Sequence, residues 1–316
     1  MGVQMTDQKY RLVTRADFDG VVSGSLLMER GIISEVVFAH PRDVQNGSFA
    51  VTGNDIVANL PYAEAAHMCF DHHISESYRV GEHDNLVLDP KSPSTARVIY
   101  EHFGGADAFP DISAAMMDAV DKADSADFTI EEILTPTDWV LVNFVLDQRT
   151  GLEEFKDFAV SRDEFMIDMI SFCRRNPVDE ILKHPDVEER VTTFIFHNEF
   201  AELQLGRCSR TQGKTVVADF RNEEKRYPGN RFMIYALYPD CSLSLQVSQG
   251  SKAGMTEISA GKSIIDRESP VNVGEIMLSF GGGGHAAAGT CQVEDAEADT
   301  VLGEILERVD AKNAAD

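Results

Sequence analysis

The amino-acid sequence predicts a two-domain α/β protein, a parallel sheet with its helices first and a smaller mixed-sheet domain after it. Three observations carry this expectation. Short apolar runs alternate with helix-forming segments as far as Ala123, the pattern of a parallel sheet with helical crossovers. Beyond Phe200 strand-like runs follow one another across turns, as in a separate mixed sheet. The length of 316 residues suits two domains of roughly 100 to 200 residues, each with a core of its own.

In chain order, Tyr10 to Thr14 reads as a strand and Val21 to Glu29 as a helix that stops at Gly31. Ile33 to Ala39, Asp55 to Leu60 and Ala66 to Phe70 are further strand-like runs. Ser94 to Phe103 is a helix with Ser94 as N-cap and Gly104-Gly105 as its stop, and Ala114 to Ala123 is another. The span 131–185 has helix formers and no clear strand, including Glu153 to Val160 and Asp163 to Arg174. It is expected to complete the first domain, with His184-Pro185-Asp186 ending a helix. Lys214 to Phe220, Arg231 to Tyr238 and Ser242 to Ser248 are strand-like, and Glu294 to Lys312 closes the chain as an acidic amphipathic helix. The expected domains are 1–195 and 196–316.

Composition narrows the classes of function. With 28 Lys+Arg against 53 Asp+Glu, the formal charge is -25, which argues against a broad footprint for duplex nucleic acid or an anionic membrane. A local anion site, or a metal, remains compatible with it. No apolar run approaches the ~18 residues of a membrane span, and the N-terminus lacks the basic then apolar build of a signal peptide. Met1-Gly2-Val3-Gln4-Met5-Thr6 matches the loose myristoylation pattern, which so short a string also meets by chance. The five cysteines form no CxxC pair, and their odd number fits reduced thiols in a cytoplasm, with Cys69 as a small core residue. A soluble cytoplasmic protein is expected.

Four constellations carry chemistry. Asp17-x-Asp19-Gly20 sits where a strand hands over to a helix, the usual ligand position of an open α/β sheet. Its carboxylates suit magnesium or manganese, and Ser23 and Ser25 could cap or bind phosphate. Asp71-His72-His73 again follows an apolar run. Successive side chains diverge, so one His as ligand and the other facing substrate is the natural reading. Asp121, Asp124 and Asp127 load a helix C-terminus with negative charge, which opposes the macrodipole and calls for a cation. Gly281-Gly282-Gly283-Gly284-His285 precedes Ala286-Ala287-Ala288, expected to be a small-residue helix whose approach offers backbone N–H groups to an anion.

Together these motifs resemble the DHH phosphoesterase superfamily, the glycine-rich end resembling its DHH-associated C-terminal domain. Their order and spacing cover essentially the whole chain. The resemblance implies a Rossmann-like N-terminal domain holding manganese, with magnesium possible, and a C-terminal domain that closes over it and holds the nucleotide. Members include nanoRNases that also take phosphoadenosine phosphate, single-strand exonucleases, dinucleotide phosphodiesterases, pyrophosphatases and exopolyphosphatases.

Carried over by motif, Asp17, Asp19, His72 and Asp124 are metal ligands. His73 faces the scissile phosphate, with Asp71 of the same triplet beside it among the catalytic residues. Gly282, Gly283, Gly284 and His285 bind the nucleotide or terminal phosphate. Lys262 and Arg267 are further substrate-binding candidates from residue type, as are Arg97 and Arg149 from the first domain.

Two departures stand out. Arg15 occupies the place where the family usually has a His, and Asn59 the place of a metal-bridging Asp, with Asp55 at the wrong end of that strand to replace it. A neutral amide cannot bridge two cations as a carboxylate does, whereas a guanidinium carries permanent positive charge. One reading is a single ion held by Asp19, His72 and Asp124 with Asp17 paired to a catalytic Arg15; the other is two ions with Asn59 as a weaker bridge. The expected function is metal-dependent hydrolysis of short oligoribonucleotides, linear dinucleotides or phosphoadenosine phosphate in an interdomain cleft. A polyphosphate hydrolase and a non-catalytic nucleotide sensor are the alternatives. A small nucleotide is the expected partner, without duplex nucleic acid or membrane, and a homodimer is plausible.

Overall fold

Tyr10–Thr14 forms β1, and its burial follows from its place inside a five-stranded sheet. In this computed structural model, residues 8–155 and 157–313 are described. The myristoylation-like string Met1 to Thr6 lies outside the described residues. After β1 come α1 (Phe18–Glu29), β2 (Ile33–Phe38), α2 (Pro41–Gln45), β3 (Asp55–Ala58), β4 (Met68–Asp71), α3 (Ile74–Arg79) and β5 (Leu86–Leu88). The strands stand in the order β2-β1-β3-β4-β5, and every pairing is parallel. Parallel strands need covered faces, which explains why Leu12, Val13, Ile56, Val57 and Phe70 are all fully or almost fully buried.

Helices follow as α4 (Thr95–His102), α5 (Ala114–Asp124), α6 (Ile130–Leu134), α7 (Asp138–Leu146), α8 (Leu152–Phe155), α9 (Arg162–Arg175), α10 (Val178–Ile181) and α11 (Pro185–Cys208). Their starts are set locally. Ser94 and Ser113 accept the backbone N–H of Arg97 and Met116, and Ser161 with Glu164 makes a reciprocal capping box. α1 is buried over most of its surface, and it packs so closely on α9 that a Cβ on Gly24 would stand 2.8 Å from Ile170. Ser23 and Ser25 are therefore core residues rather than phosphate ligands, Ser25 Oγ donating to the Val21 and Ile170 carbonyls.

Strands β6 (Ser209–Gln212) and β7 (Thr215–Asp219), helix α12 (Met233–Leu237), strands β8 (Leu243–Gln249) and β9 (Met255–Lys262), helix α13 (Val273–Leu278), strands β10 (Gly283–Gly284) and β11 (Ala288–Glu294) and helix α14 (Ala298–Asn313) complete the chain. The second sheet has the order β10-β11-β9-β8-β7-β6 and is mixed, since β7 and β8 run parallel and the other pairs antiparallel. Leu245, Val247 and Ile258 from the sheet, Met277 from α13 and Leu302 and Ile305 from α14 form its core.

Among the described residues, the first compact unit takes in the chain up to Asp127 with Thr137–Gln148 and Leu152–Thr192, and the second takes in Phe128–Pro136, Arg149–Gly151 and the chain from Thr193 onward. Arg149 thus belongs to the second unit rather than the first.

The helix expected at Glu153 to Val160 spans only Leu152–Phe155, and three other local expectations fail for physical reasons. Arg231 to Tyr238 is helical at Met233–Leu237, because a crossover helix is what joins the parallel strands β7 and β8. Pro185 begins α11 instead of ending a helix, as a ring without an N–H is tolerated in a first turn. Ala286 to Ala288 forms no helix: His285 to Ala287 turns a hairpin between β10 and β11, Gly283 pairing with Thr290 and Gly284 with Gly289. No described helix is long and apolar enough to cross a membrane, and all five cysteines are free.

Candidate active site

The parallel sheet brings its chemistry to one edge. β1, β3 and β4 are neighbours, and the residues just past their carboxyl ends are Asp17 and Asp19, Asn59, and His72 and His73. This is where ligands bind in open parallel sheets. Asp55, at the opposite end of β3, is held by Arg11 at 2.7 and 2.9 Å, which keeps it away from this edge.

Asp19, His72 and Asp124 converge, with one ligand atom from each lying within 4.8 Å of the others. Asp19 reaches the cluster from the first turn of α1. Its Oδ2 accepts from Thr95 N at 3.0 Å and its Oδ1 from Ala96 N at 2.7 Å, so the N-terminus of α4 holds the carboxylate. Burial, followed by the charges of Asp124 and Asp17, raises its pKa to about 7. A buried carboxylate with carboxylate neighbours is held at a cost unless a cation is supplied.

His72 donates from Nδ1 to the Ser92 carbonyl at 3.1 Å, which in the neutral ring leaves the Nε2 lone pair free. That Nε2 is 2.7 Å from Asp124 Oδ2 yet out of alignment for a hydrogen bond. Burial disfavours its charged form, but Asp124 and Asp19 outweigh this and raise the pKa to about 9. Asp124, the last residue of α5, feels burial in the opposite direction, and His72 leads the neighbours that bring its pKa below the ordinary value. Two carboxylates and an imidazole nitrogen converging on one point form a donor set that fits manganese or magnesium.

The remaining residues are committed elsewhere. Asp17 caps α1: its Oδ1 accepts from Gly20 N at 3.0 Å and Asn59 Nδ2 at 3.1 Å, and its Oδ2 lies 3.1 Å from Arg15 Nε. Asn59 is buried in the left-handed region at φ 57, and among the described residues its Oδ1 has no partner. Asp71 Oδ1 accepts from His72 N at 2.9 Å and His73 Nδ1 at 2.7 Å. That hydrogen bond is the leading cause of the raised pKa of His73, and Nε2 remains as the ring's other polar atom. Asp121 accepts from Ser94 Oγ and pairs with Arg97, so Arg97 serves the α4–α5 packing.

In the second unit the glycine run divides by cause. A Cβ on Gly282 would stand 2.1 Å from Thr290 O, and one on Gly284 2.3 Å from Ala288 O, so the hairpin itself requires both. Gly281 has φ +76, whereas a Cβ on Gly283 meets nothing within 4 Å. His285 N donates to Ala288 O at 2.7 Å in the turn, and its side chain is exposed. Lys262 Nζ donates to the Ser269 carbonyl at 2.8 Å, and Arg267 Nε to the Ile264 carbonyl at 3.0 Å.

Arg162 has no counterpart among the motifs. From the start of α9 its Nη2 donates to Ala16 O at 2.7 Å and Leu146 O at 3.0 Å, so it clasps the loop that carries Arg15 and Asp17. One sequence signal was available: a cation in a helix's first turn opposes the macrodipole and so implies another task. Trp139 of α7 stacks on Phe18 with ring centroids 5.9 Å apart, supporting the same end of α1.

Among solved structures, this architecture and sequence are similar to the pGpG-specific phosphodiesterase PggH from Vibrio cholerae. Identity is 44% and the TM-score 0.88, with 96% of this chain and 100% of that one covered. The chain belongs to the DHH phosphoesterase superfamily. RecJ from Thermus thermophilus, crystallised with Mn2+, matches at 12% identity and a TM-score of 0.51 over 96% of this chain and 52% of RecJ. CDC45 from Entamoeba histolytica matches at 8% identity and a TM-score of 0.51 over 96% of each chain. These two share the fold. No family model and no curated protein matches the sequence.

Proposed function

We propose that this phosphoesterase hydrolyses linear dinucleotides of the pGpG type, with one divalent cation at Asp19, His72 and Asp124. The observation that carries the reading is the 44% identity to a pGpG-specific phosphodiesterase over the whole of that chain. The donor cluster at the edge of the parallel sheet supports it.

Manganese, or magnesium, is the cation proposed, bound through the carboxylates of Asp19 and Asp124 and Nε2 of His72. When bound, such an ion acts as a Lewis acid that stabilises phosphate charge and makes water a better nucleophile at neutral pH. The chain's own residues do the rest. Thr95 and Ala96 aim Asp19, and the Ser92 carbonyl selects the His72 tautomer that presents Nε2 as a lone pair. Asp71 fixes the His73 ring through Nδ1, which leaves Nε2 to hold a proton against a phosphate oxygen. Glycine backbone near Gly283, with His285 beside it, is proposed to take the nucleotide.

The test is turnover of a panel with manganese added or chelated: linear dinucleotides, phosphoadenosine phosphate, short oligoribonucleotides and polyphosphate. The expected result is manganese-dependent hydrolysis of the linear dinucleotide in preference to the others. Preference for polyphosphate overturns the substrate reading, and binding without hydrolysis across the panel identifies a sensor.

A further inference from the structure

We propose that the Arg15 guanidinium binds the substrate phosphate in place of a second cation, so that the chain works with a single divalent ion. This rests on the phosphohydrolase reading above and adds to it how the phosphate charge is met.

The first observation is that Asp17 is already satisfied. Its carboxylate accepts from Gly20 N and Asn59 Nδ2 and is ion-paired to Arg15, so its charge is neutralised within the chain. The second is Asn59. Its buried backbone, fixed through Asn59 N to the Phe70 carbonyl at 3.1 Å, offers the site one neutral oxygen, Oδ1. One neutral oxygen can accept from a water or complete the shell of one ion, but it contributes no charge to separate two cations. The charges then fit a single ion: Asp17 is already ion-paired to Arg15, which leaves Asp19 and Asp124 to be met by one divalent cation.

The third observation concerns the guanidinium itself. Only Nε of Arg15 is engaged, and among the described residues its terminal nitrogens have no hydrogen-bond partner. The side chain is 32% exposed, and Arg15 lies just past the carboxyl end of β1, at the sheet edge where Asn59 and His72 follow the neighbouring strands β3 and β4 and where Asn59 shares its Asp17 partner. A planar fork with two open nitrogens beside a cation site matches a phosphate.

The loop is also held in place. Arg162 clasps the Ala16 carbonyl, and Gly20 admits the Arg15 carbonyl to a place where a Cβ would stand 2.0 Å from it. Asp17 orients Nε. The phosphate-binding geometry is thus prepared by the fold, which lowers the entropic cost of binding.

The experiment counts ions and reads substrate binding separately. The full chain is stripped with chelator and titrated with Mn2+, free ion being followed by electron paramagnetic resonance, for wild type, Arg15→Ala and Arg15→Lys. One ion per chain is expected for all three. Arg15→Ala should raise the KM for the linear dinucleotide by about tenfold and lower kcat, with Arg15→Lys recovering part of the loss. Two ions per wild-type chain overturn the proposal, as do unchanged KM and kcat in Arg15→Ala. The ion count needs no substrate, so it stands or falls apart from the dinucleotide reading. If the panel identifies no substrate, calorimetry with guanosine monophosphate replaces the kinetic arm: weaker binding by Arg15→Ala supports the proposal and equal binding overturns it.

Discussion

His72 Nε2 lies 2.7 Å from Asp124 Oδ2 without being aligned to share a hydrogen with it, while Nδ1 of the same ring is tied to the Ser92 carbonyl. The second contact explains the first. A ring whose Nδ1–H is taken by a backbone carbonyl directs its other lone pair outward along a fixed line, the arrangement by which proteins orient a metal-binding imidazole. Asp124 brings its oxygen to the same place from the end of α5, and Asp19 completes the set from α1.

Removing either partner should therefore abolish cation binding rather than simply weaken packing. His72→Gln and Asp124→Asn are expected to lower Mn2+ affinity by at least about 100-fold, measured by calorimetry on chelator-treated protein. A thermal midpoint close to that of the metal-free wild type would show that the loss is local. Retained affinity in both variants would remove the cluster from the mechanism.

The same cluster sets a pH dependence for the metal-free protein. Asp19 is raised from 3.8 to about 7 and His72 from 6.5 to about 9. In each case the protonated form is favoured by folding, so the contribution is fully present below the lower value and is lost as pH rises through the upper one. Chelated protein should lose thermal stability from about pH 4 to about pH 9, and the stabilisation produced by Mn2+ should grow over that range. A shift on adding Mn2+ that is equal at pH 5 and pH 9 would contradict this assignment.

The glycines of the hairpin should separate by role. Gly282→Ala and Gly284→Ala drive a Cβ to within 2.1 and 2.3 Å of backbone oxygens, and about 3 kcal/mol of stability should be lost in each, read by denaturant unfolding. A Cβ on Gly283 meets no described atom within 4 Å. The stability of Gly283→Ala should match wild type, and its KM should rise if the nucleotide rests there.

Arg162 gives a test of loop support. Truncation to Ala leaves the Ala16 and Leu146 carbonyls without their donor, at about 1–3 kcal/mol for each unpaired group that stays buried. Arg162→Lys should regain one of the two contacts and part of the activity. Since Arg162 is not a ligand, both variants should keep wild-type ion stoichiometry, which the Mn2+ titration checks.

Much of the fold was legible because local rules agreed. Apolar runs bounded by turns marked β1, β3 and β4, and Ser94 followed by a periodic run marked the start of α4. Misreadings arose where partners distant in sequence decide the outcome. The helix at Met233–Leu237 looks like a strand in isolation, and the Ala-rich stretch after His285 looks like a helix until Gly283 and Gly284 pair with Thr290 and Gly289. Once that pairing forms, steric approach is by itself enough to require glycine at positions 282 and 284.

By itself the sequence determined the family, the α/β architecture and which residue types could act, since motif spacing and periodicity depend on neighbours along the chain. It also showed that Arg15 and Asn59 depart from the usual ligand set. Only the tertiary structure decided how those residues are shared out: Asp17 to Arg15, Asn59 and Gly20; Asp71 to His73; and Asp19, His72 and Asp124 to one another. The reason is geometric. Hydrogen bonds and metal sites depend on distances of a few tenths of an ångström between atoms from separate strands and helices, and spacing along the chain carries no such information.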